Sequence, residues 1–316
     1  MSKPAPETGV ENQSQPQLSE IDAASAQLQQ LLEARQRELE VSIDDWDVAD
    51  LLDFLQSAGE EEFYSAYELF SMFAVKPELA STFLDNYLSI TDPKTKNRAK
   101  QLLTASYPGQ NNIIEEKIID RMRQGDPPDE WLDVLSDVGV FTNDSLTYLG
   151  EQLGYFAEAQ QVSKAIRAIN KGSDAFFNKI PRQTRETLTS QVNNHLRSTD
   201  PEVKGAALRA LAAFPVENSE AILIEALSDS NTLVQRSAIA SLMRGKFQDA
   251  SVSDALLNLM RDENNAFDTR MLATRALRRY NLTGQDYDDL YDFSLEIRNH
   301  QQNQLRQQRQ ANQQLQ

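Results

Sequence analysis

Apolar and polar residues along most of the chain are spaced as in amphipathic helices. Apolar side chains recur at intervals of three and four residues, which is the period of one helix face. The first such run follows Ser19 and Asp22 and contains Leu28, Leu31, Leu32 and Leu39. No segment shows the period-two alternation of a half-buried strand. The pattern therefore predicts an all-α fold with essentially no sheet.

Prolines and acidic residues mark several helix starts. Pro77, Pro93 and Pro201 each stand where the first turn of a helix tolerates proline. Asp92 and Asp200 directly precede two of them, and aspartate at that position accepts hydrogen bonds from the first backbone N–H groups. We therefore expect both aspartates to be N-caps.

Three stretches near the end of the chain share one pattern. They are Val203–Leu211, Val234–Leu242 and Thr269–Leu277, and their central alanines are 31 and 35 residues apart. Each follows a short polar turn, and each turn follows another apolar helix. The unit is therefore a helical hairpin, whose small alanines let the paired helices approach closely. Such a hairpin cannot bury its apolar face alone, so neighbouring hairpins are expected to stack.

These residues resemble HEAT repeats, and in particular the short HEAT-like repeats of the phycobilisome-lyase type, over residues 183–280. In that family a turn carrying Asp or Asn leads into a second helix of Val-Arg/Lys-x-x-Ala-x-x-Ala-Leu character. Asp200 with Lys204 fits this pattern well. Two further pairs fit it more loosely, Asn231 with Gln235 and Asn265 with Arg270.

A fainter copy of the repeat lies upstream. Thr91-Asp92-Pro93, with Lys96, Ala99 and Leu103, matches Thr199-Asp200-Pro201 and its helix at a constant offset of 108 residues. Polar turns at 57–59, 125–129 and 154–155 each separate two further apolar helices. The chain is thus predicted to be one right-handed α-solenoid of about seven HEAT-like helical hairpins. The aromatic-rich N-terminal hairpins could instead form a separate helical cap.

Composition divides the chain into four regions. Residues 1–18 are rich in Pro, Ser, Gln and Glu and are predicted to be disordered. Residues 19–171 hold acidic, aromatic-rich hairpins, and residues 172–298 hold the HEAT-like repeats and a C-terminal cap. Residues 299–316 form a Gln-rich tail, which is interpreted as a frayed helix extension or loose tail, or as a short coiled-coil contact.

Two segments of the repeat region carry specific expectations. The insertion at 172–182 could be an ordered loop with Phe176 and Phe177 in the core, or a protruding contact loop. In the cap, one group of side chains is expected to cover the last apolar face: Tyr287, Leu290, Tyr291 and Phe293.

Charge is distributed unevenly along the chain. The chain has 31 Lys and Arg against 48 Asp and Glu, a formal net charge of −17. Residues 1–92 hold four basic and 19 acidic residues, so almost all of the excess lies there. The densest acidic patch includes Asp44, Asp45, Asp47, Asp50, Asp53 and Glu60 to Glu62. This patch is either a solvated helix surface or a docking face for a basic partner; a calcium site lacks the expected loop pattern.

Catalytic and metal-binding patterns are missing from the sequence. There is no Cys, there are only two His, and no nucleotide-binding, nucleophile-elbow or zinc-protease motif occurs. His195 is interpreted as a structural or surface histidine. We expect no enzyme activity, no cofactor and no metal. An alternative is a HEAT-like enzyme of the bilin-lyase type, whose chemistry could use carboxylates such as Asp268 or Glu225.

The sequence thus favours a non-catalytic scaffold that binds another protein along the concave face of the solenoid. Second helices of solenoid hairpins usually line that face. The predicted contact residues are Lys204, Arg209, Gln235, Arg236, Arg270 and Arg275, with Asp44, Asp45, Asp47 and Asp50 for a basic partner.

Four further expectations concern partners and location. Arg275, Arg278 and Arg279 could bind an acidic peptide or pair with Asp286, Asp288 and Asp289. Because affinity for nucleic acid comes mainly from neutralised phosphates, no nucleic-acid partner is expected of so acidic a chain. No apolar run is long enough to span a membrane. The protein is expected to be cytoplasmic, or a trimmed periplasmic structural or assembly protein if a signal segment preceded residue 1.

Overall fold

A computed structural model describes residues 46–65, 77–105, 112–173, 180–247 and 249–314. Within these ranges the chain forms fifteen helices and no strand. It divides into two compact units, Met1–Met72 and Phe73–Gln316.

The described part of the first unit contains two helices. They are α1 (Val48–Ser57) and α2 (Glu60–Ser65), separated by the short turn at Ala58 and Gly59. Leu51, Leu55 and Phe63 are fully buried, so each helix has an apolar face turned away from solvent.

The second unit consists of six helical hairpins and one final helix. The first helices of the hairpins are α3 (Pro77–Tyr87), α5 (Asn112–Arg123), α7 (Asn143–Gln152), α9 (Arg182–Asn193), α11 (Ser219–Leu227) and α13 (Ala250–Arg261). The second helices are α4 (Pro93–Ala105), α6 (Pro128–Val138), α8 (Ala159–Ser173), α10 (Pro201–Ala210), α12 (Thr232–Arg244) and α14 (Phe267–Leu277). The final helix is α15 (Gln285–Gln314).

The hairpins of this unit stack into two layers. Each second helix contacts the second helix of the next hairpin, from α4 through α6, α8, α10 and α12 to α14. The first helices form the other layer, in which α3, α5, α7 and α9 contact in succession, as do α11, α13 and α15. This arrangement confirms the predicted all-α, HEAT-like solenoid.

Small residues set the close spacing of the second helices. In α10 the residues at Gly205, Ala206, Ala207 and Ala210 are all buried. A Cβ atom added at Gly205 would lie 2.8 Å from the Ser237 Oγ of α12, so the Ser237 side chain packs directly against the α10 backbone there. Ala238 and Ala273 are fully buried at the corresponding positions of the later repeats. The predicted alanine stripe is therefore buried, and in α10 the small residue Gly205 lies against the next second helix.

The predicted N-caps are confirmed. The Asp200 carboxylate accepts hydrogen bonds from the Glu202 and Val203 N–H groups, at 2.9 and 3.0 Å. The Asp92 carboxylate accepts from the N–H and the hydroxyl of Thr95, and these bonds lower the Asp92 pKa. Because these caps satisfy otherwise unpaired N–H groups, they fix where the second helices begin.

One buried carboxylate ties the second hairpin to the third. Glu115 on α5 is fully buried, and its two oxygens accept hydrogen bonds from the N–H groups of Phe141 and Thr142, at 2.7 and 2.6 Å. These groups lie at the start of α7, where Thr142 is the N-cap. Burial raises the Glu115 pKa although the hydrogen bonds oppose the shift.

The loop between α6 and α7 lies against the end of α8. A Cβ atom added at Gly172 would lie 1.6 Å from the Val140 carbonyl oxygen, so only glycine fits there. The Val140 N–H also donates to the Ala168 carbonyl at 3.2 Å. This backbone contact joins the segment before α7 to the end of α8, the two helices of the third hairpin.

Helix α15 covers the last hairpin with fewer side chains than predicted. Phe293 is buried, and its ring centroid lies 5.7 Å from that of Phe267 on α14. Tyr287 and Tyr291 were predicted to share this role, but both are more than half exposed. The prediction was wrong for the two tyrosines because they lie on the face of α15 that has no neighbouring helix. The segment from residue 299 continues the helix, and every residue of 299–310 is exposed.

Several expectations concern residues outside the described ranges. These are the disordered segment 1–18, the helix starting near Ser19, the acidic residues Asp44 and Asp45, and the insertion residues Phe176 and Phe177. The predicted domain boundaries at 171 and 298 stay predictions.

Candidate partner-binding surface

One side of each second helix faces outward from the stack. On α8 these positions include Lys164, Arg167 and Lys171, one or two turns apart. Glu202 and Arg209 of α10, Arg236 and Ala240 of α12, and Asp268 and Arg275 of α14 occupy the same side of their helices. We call this surface the outer face of the second-helix layer.

The N-terminal half of the outer face is neutralised by its own ion pairs. Lys96 of α4 lies 2.5 Å from Glu130 of α6. Lys100 contacts both Asp133 and Asp137 of α6, at 2.6 and 2.7 Å. Asp133 is also 3.1 Å from Lys164 of α8. Basic α4, acidic α6 and basic α8 are thus held together by their own charges.

These ion pairs change the pKa values of residues in and beside them. Burial opposes the charged form of Asp133, but Lys100 and Lys164 outweigh it and lower the Asp133 pKa. Tyr87 lies beside the network, and burial, followed by Asp133 and Glu130, raises its pKa to about 12. An open groove of about 480 Å³ lies here, lined by Tyr87 and the charged residues of α4, α6 and α8. The charged side chains that line this groove are already paired with one another, so they bind an additional ion only weakly.

The C-terminal half of the outer face is basic. Arg167 of α8 pairs with Glu202 of α10, but its Nε atom is buried without a hydrogen-bond partner. In the described part of the chain, Arg209, Arg236 and Arg275 form no ion pair. The Arg209 pKa is lowered by burial and by the charges of Arg167 and Arg236, with Glu202 opposing the shift. Positive charges from three successive helices therefore lie close together.

Three of the predicted contact residues instead hold elements of the stack together: Lys204 and Gln235 bond the next hairpin, and Arg270 bonds its own hairpin and contacts α15. Lys204 lies 2.6 Å from Asp229, in the turn before the next second helix. Gln235 is buried, and its amide donates to the Asn265 side chain at 3.2 Å. The Arg270 Nε donates to the Met260 carbonyl at 2.7 Å, and its guanidinium lies over the Phe293 ring. All three occupy the same repeat position, three residues before the central alanine.

The arginines at the end of α14 do not pair with the acidic start of α15. Asp286 and Asp289 instead contact Arg261 of α13, at 2.7 and 2.6 Å. Arg279 donates to the backbone carbonyls of Leu242 and Met243. The alternative of pairing with Asp286, Asp288 and Asp289 is therefore wrong, because the start of α15 lies beside α13. Arg275 and Arg278 stay exposed.

The described acidic residues of the first unit have local roles at helix starts. Asp47 caps α1 by accepting from the Ala49 and Asp50 N–H groups, and Asp50 accepts from the Asp47 N–H. Glu62 in the first turn of α2 accepts from the Gly59 N–H. Carboxylates are favourable at helix N-termini, which gives part of the acidic excess a structural explanation.

A second cavity, of about 750 Å³, lies between α9 and α11 above α10. Its lining includes Glu225, Lys204, Asn193 and Asn218. Glu225 was one of two carboxylates considered for bilin-lyase chemistry, but the other, Asp268, does not line this cavity. His195 lies beside it in the turn after α9, and burial lowers its pKa.

The described residues contain no group of three or more His, Asp or Glu placed to hold a metal ion. Nor does any helix in the described ranges combine the length and apolar character needed to cross a membrane.

Comparison with known proteins identifies the repeat. Residues 190–278 match the family model for HEAT repeats, so the region from α9 to α14 carries HEAT-like repeats. No curated protein matches the chain.

Similar solved structures include two engineered proteins from the Northeast Structural Genomics Consortium. The first is 17% identical with a TM-score of 0.34, over 78% of this chain and 97% of that one. The second is 16% identical with a TM-score of 0.41, over 81% of this chain and 74% of that one.

Proposed function

We propose that the protein is a non-catalytic scaffold that binds another protein through the C-terminal half of the outer face. One observation carries this proposal. Arg209, Arg236 and Arg275 lie on the same side of three successive second helices and have no ion-pair partner among the described residues, whereas the N-terminal half of the same face is occupied by its own pairs.

Fewer residues are proposed to contact the partner than were expected from the sequence. Lys204, Gln235 and Arg270 are assigned to holding the stack together. Lys204 and Gln235 each bond the next hairpin, whereas Arg270 bonds α13 of its own hairpin and lies over Phe293 of α15. Arg209, Arg236 and Arg275 keep the contact role. Asp47 and Asp50 stay exposed, so a second docking surface for a basic partner on the first unit is compatible with their capping role.

Affinity capture with matched charge reversals tests the proposal. The full chain is used as bait in three forms: wild type, Arg236→Glu and the control Arg182→Glu. Arg182 lies on α9 in the other layer with a side chain 92% exposed, so both variants change the same charge at the surface. Circular dichroism melting first checks that the three baits are equally folded.

We expect a protein captured by the wild type to be retained by the Arg182→Glu bait and lost, or reduced at least tenfold, with Arg236→Glu. The captured protein is then purified and titrated against each bait in isothermal titration calorimetry. It should bind wild type and Arg182→Glu with similar affinity and Arg236→Glu more weakly. Equal capture by all three baits would contradict the proposed surface, and so would capture of no protein at all.

A further inference from the structure

Four successive second helices each place one arginine on the outer face. Arg167, Arg209 and Arg275 occupy the same repeat position, in the matching triplets Arg167-Ala168-Ile169, Arg209-Ala210-Leu211 and Arg275-Ala276-Leu277. On α12 the matching residue is Ala240, but Arg236 lies one helical turn earlier on the same side. We call these four residues the arginine ladder. Arg167 was not among the residues predicted from the sequence.

The spacing of the ladder follows from helix packing. Helices α8, α10, α12 and α14 are neighbours in one layer, and packed helices lie about 8–10 Å apart. The four arginines therefore span about 30 Å. Within the described ranges, Arg167 is the one ladder arginine that forms an ion pair, with Glu202, so the ladder and that residue together keep a net positive charge.

The ladder has unused capacity to bind anions. The Arg167 Nε is buried without a hydrogen-bond partner, although an arginine has five N–H donors in a fixed arrangement. Arg209 is half-buried, and burial lowers its pKa. The repulsion from Arg167 and Arg236 exceeds the attraction of Glu202 and lowers the Arg209 pKa further. A carboxylate between Arg209 and its neighbours would reduce that repulsion and could be bound through two N–H groups at once.

We propose that the arginine ladder binds an extended acidic peptide segment of a protein partner, with a carboxylate at about every third residue. This deepens the proposed function and depends on it. An extended polyproline-type chain advances about 3.1 Å per residue, so three residues match one step of the ladder. Arg236 is displaced by one turn, about 5 Å, from the line of the other three. An extended chain can bend to reach it, whereas a straight helical stripe cannot.

Nucleic acid fits the ladder less well than an acidic peptide. The outer face of α10, α12 and α14 carries no aromatic side chain on which bases could stack.

Fluorescence anisotropy with defined probes tests the inference on the full chain. The main probe is a fluorescein-labelled 12-residue peptide with Glu at every third position and Ser, Pro and Ala elsewhere. Three further probes serve as controls: the same composition with its Glu residues in one block, the same sequence with Gln for Glu, and a 12-nucleotide oligo-dT.

We expect the periodic Glu peptide to bind at least fivefold more tightly than the block peptide, and the Gln peptide not to bind. Arg236→Ala and Arg209→Ala should each weaken binding about tenfold, whereas Arg182→Ala should leave it unchanged. Raising the salt concentration from 0.05 to 0.3 M should weaken binding strongly, because charge pairs at a surface are screened.

Other outcomes overturn the inference in distinguishable ways. Equal binding of the periodic and block peptides contradicts the spacing, and tighter binding of oligo-dT assigns the ladder to nucleic acid. If no acidic peptide binds while protein capture still depends on Arg236, this inference fails and the proposed function stands. If capture is also independent of Arg236, both fail.

Discussion

At the scale of single residues, the stacking of the hairpins depends on a few positions where the surrounding atoms allow no other residue. Gly172 and Glu115 are the clearest, because one makes a backbone contact and the other satisfies buried N–H groups between hairpins. Neither stands out in the sequence. The sequence assigns Gly172 to the start of the insertion at 172–182, with no indication of a contact to Val140, and the partners of Glu115 lie 26 and 27 residues away along the chain.

We expect Gly172→Ala to lower the free energy of unfolding by about 2 kcal/mol or more, because the new methyl group would overlap the Val140 carbonyl. Urea unfolding followed by circular dichroism measures this change. Gly154→Ala is the matched control, since a Cβ atom there meets nothing within 4 Å. Equal midpoints for the two variants would show that α8 and the preceding loop are not in close contact.

We expect Glu115→Ala to lower the free energy of unfolding by about 1–3 kcal/mol, because the Phe141 and Thr142 N–H groups lose their acceptors. Glu116→Ala, at the exposed neighbouring position, should have little effect.

The loss caused by Glu115→Ala should also depend on pH. Burial raises the Glu115 pKa in the folded state, so the folded protein takes up a proton at a higher pH than the unfolded chain. The contribution of this carboxyl is therefore full below the ordinary glutamate pKa and decreases as the pH rises through the raised value. The stability difference between wild type and Glu115→Ala should be larger at pH 5 than at pH 7.5. A difference that grows towards high pH would contradict this account.

At the scale of helices, the sequence predicted what is decided locally and missed what neighbouring hairpins decide. The caps at Asp92 and Asp200 and the burial of the alanine stripe follow from short-range rules, and the structure confirms them. The roles of Lys204, Gln235 and Arg270 could not be predicted in this way. Each is a polar residue on a second helix, and only the position of the next turn or helix determines that it bonds there.

The final helix provides a test of how the last hairpin is covered. Phe293→Ala should lower the free energy of unfolding by about 3 kcal/mol, because a buried ring packed on Phe267 is lost. Deletion of residues 305–316 should leave the melting temperature unchanged within 1–2 °C, or about 0.5 kcal/mol. Its described residues 305–310 are exposed. A large loss on deletion would mean that this segment covers an apolar surface.

At the scale of the whole molecule, the net charge of −17 conceals a local excess of the opposite sign. The acidic excess belongs to residues 1–92, whereas the outer face of α8 to α14 carries the arginine ladder. Because the Debye length is about 8 Å in physiological salt, a bound segment responds to the charges near it rather than to the net charge.

Arg167, which completes the ladder, lies outside residues 183–280, where the resemblance to HEAT repeats is specific. The triplet Arg-Ala-Ile would have been the signal for it.

The central claim is that the outer face of α8 to α14 is where a protein partner binds, and single-cysteine photocrosslinking tests it most directly. Since the chain contains no cysteine, one introduced thiol gives one attachment point. Ala240→Cys places the crosslinker beside Arg236 on the outer face, and Ala221→Cys places it at an exposed site on α11 in the other layer.

After irradiation in cell extract, the account predicts one protein crosslinked at position 240 and absent at position 221. That product should disappear when Arg236→Glu is added. A protein crosslinked equally at both positions, at position 221 alone or at neither would contradict it.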